Sequence, residues 1–357
     1  MNKDVRIYIA GHLGMVGSAI LRNLQHKGYR NFILHSLEEL NLVRQEETEQ
    51  FFMREKPEFV IDAAAKVGGI VANSTYRAQF IYENLMIQNN IIHASYLSGV
   101  KKLLFLGSSC IYPRFAPQPL KEEYLLTDEL EPTNEPYAIA KIAGIKMCES
   151  YFRQYGCNFI SVMPTNLYGP NDNFNLETSH VLPALIRKFH LGKCLSSDDL
   201  EGIRKDLNKR PIEGIDGSKS DDALLKILEK YGITSVKEDT VIKLWGTGKP
   251  FREFMHVDDM ASACMHIMEN ITAGQLYNDL GLTHINIGVG KDLRIKELAE
   301  QIAKIVGYKG EIFWDNTKPD GMQRKLMNVD NLKKTGFTAR ISLQEGISAV
   351  YKNYIIN

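Results

Sequence analysis

No sign of charge predominates in these 357 residues: Lys and Arg together number 43, and so do Asp and Glu. A balanced chain has no global field to hold nucleic acid or an anionic membrane, so any anion site must be built locally. Cysteine is scarce. Cys110, Cys148, Cys157, Cys194 and Cys264 are scattered and include no C-x-x-C pair or other zinc-ligand spacing, so no metal site is expected and a reduced, cytoplasmic setting is. No window approaches the roughly 20 apolar residues of a spanning helix. Met1-Asn2-Lys3-Asp4 leads from charge straight into an apolar strand, so neither secretion nor membrane insertion is expected.

Apolar and charged residues make up 44% and 24% of the chain, enough for one large core and a smaller lobe. Short apolar runs at 5–10, 31–35, 58–63, 102–107 and 158–163 alternate with helical patterns at 76–97 and 135–155. That alternation predicts an α/β fold, a Rossmann-type doubly wound parallel sheet with a smaller α/β substrate-binding lobe. Residues 1–165 form the nucleotide-binding domain, to which later segments return, and 166–357 are mainly the second lobe. Within it, 192–239 is rich in Asp, Lys, Ser and Gly and reads as an inserted surface excursion with one amphipathic stretch at 221–231.

Gly11, Gly14 and Gly17 follow the first strand and open a helix, so the amides around Met15 and Val16 can approach a pyrophosphate that the helix N-terminus favours. The G-x-x-G-x-x-G spacing is that of the short-chain superfamily. An acid after the second strand would hold the ribose of NAD, and an arginine would hold the 2′-phosphate of NADP. Here His35 and Ser36 stand in that place, no Lys or Arg occurs in 31–43, and Glu38 and Glu39 read as first-turn helix residues, so cofactor choice stays open. Asp62, before the small residues Ala63 and Ala64, closes the third strand where backbone can pass near a cofactor, or simply caps the strand end.

Tyr137 and Lys141 lie four apart on one helix face, where the cation can depress the phenol pKa and orient a nicotinamide ribose. Ser108, at the mouth of the fourth strand, supplies a second donor for a carbonyl being reduced. Cys110, two residues on, faces the same side if strand geometry persists. Cys110 and His180 can be read as a base and an acid for inverting centres beside a ketone, or as a buried small cysteine and a helix-start histidine.

Three runs carry a resemblance: residues 107–113 (GSSCIYP), 131–141 (EPTNEPYAIAK) and 164–170 (PTNLYGP). They resemble the GDP-L-fucose synthase family, over nearly the whole chain apart from the 192–239 stretch. That resemblance implies epimerisation of GDP-4-keto-6-deoxy-D-mannose at carbons 3 and 5 and reduction at carbon 4 with NADPH. It assigns Ser108, Tyr137 and Lys141 to reduction and Cys110 and His180 to epimerisation, with Tyr137, Lys141 and His180 also meeting the cofactor. Arg187, Trp245, Arg252 and Lys318 become contacts to a GDP-linked 4-keto-6-deoxy sugar, and Asn166 a contact to that sugar nucleotide or to the cofactor end of the site. A homodimer through the helices at 76–97 and 135–155 is implied as well. Two departures stand out. The family's arginines for the NADP phosphate are replaced by Leu13 and His35-Ser36-Leu37, which leaves NADH open, and the 192–239 stretch lies in the substrate lobe. Relatives acting on GDP-6-deoxy-4-keto heptoses, some as reductases or epimerases only, form the alternative. A dinucleotide sensor that has lost its chemistry is a remote one, because Tyr137 and Lys141 are both present.

Overall fold

The structure, a computed structural model, describes residues 2–236, 239–318 and 320–356. Lys237 and Glu238, at the end of the 192–239 stretch, and Pro319, next to Lys318, lie outside the described residues. In chain order the elements are β1 (Ile7–Ala10), α1 (Met15–His26), β2 (Phe32–Ile33), α2 (Gln45–Glu55), β3 (Phe59–Asp62), α3 (Ile70–Thr75), α4 (Arg77–Leu97), β4 (Lys102–Leu106), α5 (Glu135–Tyr155), β5 (Phe159–Pro164) and β6 (Asn166–Tyr168). There follow α6 (Val181–Ser196), α7 (Leu200–Lys209), α8 (Asp221–Lys230), β7 (Ile233–Val236), β8 (Asp239–Trp245), β9 (Phe251–His256), α9 (Val257–Asn270) and β10 (Ile285–Ile287). The last are β11 (Asp292–Arg294), α10 (Ile295–Val306), β12 (Glu311–Asp315), β13 (Arg324–Lys325), α11 (Asp330–Lys334) and α12 (Leu343–Ile356).

Chain contacts define two units. The first comprises Met1–Asn171, Glu253–Lys291 and Leu326–Ile341. Its sheet is parallel throughout, in the order β10-β5-β4-β3-β1-β2. β1, β4 and β5 are buried along their whole length, as strands covered on both faces must be. α1 packs on α9, while α2 and α5 both pack on α4, so the two groups of helices cover the sheet. The chain winds outward in both directions from β1 and β3, and the carboxyl ends of those strands are where such sheets bind ligands.

The second unit comprises Asp172–Arg252, Asp292–Lys325 and Ser342–Asn357. β12 and β7 flank β8, parallel and antiparallel respectively. The 192–239 stretch departs from the surface excursion read from its composition. It holds α7, α8 and β7, and with the end of α6 it builds an apolar core from Leu191, Ile203, Leu207, Leu224, Leu228 and Ile233. Asp199 and Ser220 cap the two helices, accepting from the Gly202 and Ala223 amides. Among the described residues no helix is long and apolar enough to cross a membrane.

Candidate active site

The glycine turn is shaped by contacts that leave no room for side chains. Gly11 sits at φ +76°, and a Cβ there would lie 2.8 Å from the Ala63 carbonyl oxygen. A Cβ on Gly17 would lie 2.2 Å from the Gly11 oxygen. Gly14 precedes α1 in extended conformation without any side-chain cap, so the amides of Met15, Val16 and Gly17 have no intrahelical acceptor. Ala63 donates to Ala10 O at 3.2 Å, which holds the ends of β1 and β3 together. Asp62 is fully buried, accepts from the Ala64 amide, keeps an unpartnered Oδ2, and is pushed up to about 6 by burial. A cradle closed to any Cβ, with a buried orphan oxygen beside it, fits a dinucleotide. Gly17→Ala is therefore expected to weaken NADP+ binding about ten- to a hundredfold, the penalty for forcing a methyl into a packed site. Fluorescence titration checks this, and unchanged affinity would remove the turn as the pyrophosphate seat.

α5 brings the acid and its cation to the end of β4. Lys141 is buried, donates Nζ to Leu106 O at 2.9 Å, and lies 4.7 Å from the Phe105 ring centroid and 5.7 Å from that of Tyr137. One turn on, a Cβ at Gly144 would strike the Phe105 ring at 2.4 Å, so glycine lets the helix lie this close. The expected depression of the phenol is overturned. Burial pushes the Tyr137 pKa up, Cys110 and Asp62 push it further, and burial lowers Lys141. Desolvation outweighs the cation, so the phenol holds its proton throughout the neutral range.

The same-face argument for Cys110 also fails, because strand geometry stops at Leu106. Ser108 is extended and half-buried, and Ser109–Ile111 then form a single 3-10 turn. Cys110 is nonetheless close to Tyr137 and Lys141, since its turn packs on α5 and a thiolate there would act on both. Its burial in this turn, 6% exposed, suits a thiol shielded from bulk solvent.

β6 pairs with β9, and Asn166 Nδ2 donates to Glu253 O at 2.9 Å. Glu253, which sequence reasoning missed, is the clamp of this unit. Its buried carboxylate accepts from the amides of Val289, Gly290 and Met327 at 2.5, 2.7 and 2.8 Å, joining two returning segments. The available signal was a carboxylate among the apolar residues of a strand. At the other end of the sheet, Glu38 and Glu39 belong to a turn, not to a helix. Glu39 Oε2 accepts from the Ser36 amide at 2.8 Å, and the first-turn acids of α2 are Glu46 and Glu47.

In the second unit His180 stands at the N-cap of α6 but makes no cap bond with its side chain. Its pKa is lowered by desolvation first and by Lys325 second. Arg187 contradicts its expected role. It is wholly buried, with Nε 2.9 Å from Asp206 Oδ1, Nη1 donating to Phe174 O and Nη2 to Arg210 O, so no part of its guanidinium faces a ligand. The neighbouring Lys188 is half-buried, its pKa pushed down to about 8 by burial, with a single long bond of 3.4 Å to Lys243 O. Trp245 is 66% exposed at the end of β8, with Lys318 Nζ 5.6 Å from its ring, and Arg252 is a desolvated cation whose Nη1 bonds Phe251 O. An exposed indole and three cations can hold a base and a diphosphate. No His, Cys, Asp and Glu cluster among the described residues could hold a metal ion.

A parallel sheet with a glycine cradle at β1, and a Tyr-Lys pair held against the end of β4, defines a nucleotide-dependent epimerase or dehydratase. The sequence profile of the NAD dependent epimerase/dehydratase family matches residues 7–208 and 221–288. Within that class the chain belongs to the GDP-L-fucose synthase family. It is 50% identical to GDP-L-fucose synthase 1 of Arabidopsis thaliana over 356 residues, covering all of this chain and 95% of that protein. Among solved structures it is similar to a GDP-6-OMe-4-keto-L-xylo-heptose reductase of C. jejuni, at 44% identity and TM-score 0.92, covering 99% and 98% of the two chains. It is likewise similar to MlghC, a GDP-mannoheptose C4 reductase from Campylobacter jejuni with NADP bound, at 43% identity and TM-score 0.87, covering 99% of each.

Proposed function

We propose that this enzyme epimerises a GDP-4-keto-6-deoxy sugar at carbons 3 and 5 and reduces carbon 4 with NADPH. The observation that carries this is the grouping at the end of β4, where Lys141 bonds Leu106 O and lies 5.7 Å from the Tyr137 ring, and the turn holding Cys110 packs on α5. Gly11, Gly14, Met15, Val16, Gly17, Asp62, Ala63 and Ala64 hold the cofactor, which supplies hydride when bound.

The ketone acidifies hydrogens on both flanking carbons, so one carbonyl serves every step. Cys110 and His180 remove and return protons at carbons 3 and 5. Tyr137, protonated because it is desolvated, gives its proton to the carbon 4 oxygen, and the Ser108 hydroxyl donates to the same oxygen. Lys141, fixed by Leu106 O, balances the phenolate left behind and orients the nicotinamide ribose. Lys188, Arg252 and Lys318 take the diphosphate, Trp245 the guanine, and Asn166 the sugar side of the nucleotide. A homodimer in the cytoplasm belongs to the same proposal. Exposed Tyr82 and Leu97 on α4, with Ile139 and Tyr155 on α5, support such an interface, and light scattering at twice the chain mass is the expected result.

The test is turnover of GDP-4-keto-6-deoxy-D-mannose in heavy water with NADPH or NADH. Deuterium at both carbons with oxidation of NADPH is the expected outcome. A second proposal, a C4 reductase of a GDP-linked heptose, draws on the heptose enzymes named among the similar solved structures. It predicts no turnover of the hexose and oxidation of NADPH with a GDP-6-deoxy-4-keto heptose.

A further inference from the structure

The end of β2 offers an adenine ribose no arginine or lysine, since none occurs in 31–43. It offers imidazoles. His35, two residues past β2, packs edge-on to Phe51 at 5.0 Å between centroids and places Nδ1 4.0 Å from Glu39 Oε2. His12, in the glycine turn, has a buried Nδ1 without a hydrogen-bond partner and responds to the charges of both His35 and Glu39. Two histidines from successive strand ends therefore gather around one carboxylate, where a dinucleotide fold puts the 2′ position of the ribose.

We propose that His12 and His35 are the receptor for the 2′-phosphate of NADPH, with Glu39 as a built-in competitor, so that the preference for NADPH over NADH rises as pH falls. This rests on the reading of the chain as NADPH-dependent. An imidazolium brings a charge and two N–H donors to the phosphate, whereas a neutral ring brings one donor at most. Without a phosphate the His12 pKa is lowered, by desolvation first, against Glu39, which raises it, and together with His35, which lowers it. A phosphate dianion favours protonation of both rings, so the complex binds more protons than its parts and affinity must increase toward acid. The gain fades near pH about 6, where the phosphate itself protonates. The 2′-hydroxyl of NADH carries no charge, and its binding is flat in pH.

The other charged groups around the cluster are accounted for. Glu38 is tied to its own backbone amide and to the Ser36 hydroxyl. Glu55, which also senses His35, is bonded by Arg6 and Arg54 at 3.0 Å each. Glu39, although it also accepts from the Ser36 amide, is the carboxylate that stands 4.0 Å from His35 and so opposes the phosphate.

Calorimetric titration of the intact protein with NADP+, NAD+ and 2′-AMP between about pH 8.5 and about pH 6.5 tests this. NADP+ and 2′-AMP should tighten on the order of tenfold with measurable proton uptake, and NAD+ should not. His12→Asn with His35→Asn, shown folded by circular dichroism, should flatten the NADP+ curve toward that of NAD+. His35→Arg should bind NADP+ tightly at the alkaline end and with little pH dependence. A flat NADP+ curve in the unaltered protein, or a slope that survives the double substitution, overturns the proposal. NAD+ binding without NADP+ binding at any pH overturns the NADPH reading, and the proposal with it.

Discussion

Replacing Tyr137 with phenylalanine is expected to lower ketone reduction by about 10²- to 10⁴-fold, the usual worth of one positioned acid, while NADP+ still binds. The substitution removes a proton and leaves the ring, whose edge meets Phe80 at 6.5 Å between centroids. Single-turnover oxidation of NADPH measures the chemical step, and cofactor titration measures the site. Deuterium exchange at the carbons beside the ketone should persist, because that exchange runs through Cys110 and His180. An unchanged rate of reduction would remove Tyr137 as the acid. Exchange lost together with reduction would mean that Cys110 depends on the tyrosine it faces electrostatically.

Arg187→Met and Asp206→Leu are each expected to destabilise the protein by about 3–5 kcal/mol, because each removes the main partner of a buried charge, Arg210 reaching Asp206 only at 3.7 Å. The pair is closed to solvent, with side chains 0% and 1% exposed, and lies at 2.9 Å. Made together, the two substitutions should recover most of that loss, since a well-packed apolar pair replaces two desolvated charges. Chemical denaturation followed by fluorescence reads the stability. Affinity for GDP, measured separately, should be unmoved at Arg187→Met once the protein is folded and should fall at Lys188→Ala. The opposite pattern would return Arg187 to the ligand role inferred from resemblance.

The sheet and its helices were legible because their signals are local. α5 matches its sequence-read bounds, as Pro136 in the first turn and Gly156 at φ +71° past the last mark its two ends, with Gly144 the one glycine between them. In the 192–239 stretch the amphipathic pattern at 221–231 matches α8, whereas the excursion reading missed α7, whose one buried stripe through Ile203 and Leu207 is outnumbered by charged residues. Arg187 shows another limit. Pro183 and Leu191, four residues to either side, are buried, and that stripe turns Arg187 inward, while Lys188 shares the open side with Val181 and Ala184. Resemblance names a cation in this helix, but only the phase of the helix tells which of two neighbours reaches the ligand. The Tyr137 pKa was missed for a different reason. Spacing locates a cation beside a phenol, whereas the burial that outweighs it, and the charges of Cys110 and Asp62 that add to it, come from parts of the chain distant in sequence.

Tyr354 on α12 donates its hydroxyl to Asp206 and accepts from Arg210 Nη2 at its backbone oxygen, so a residue made long after α6 completes an ion pair begun at Arg187. During synthesis the ribosome must therefore deliver more than 160 further residues before that charge is fully enclosed. The second unit has to wait half-built until α12 clears the exit tunnel. A stalled or clipped chain lacking those turns would leave a polar hole in its interior, which is the kind of defect a cell's proteases find first.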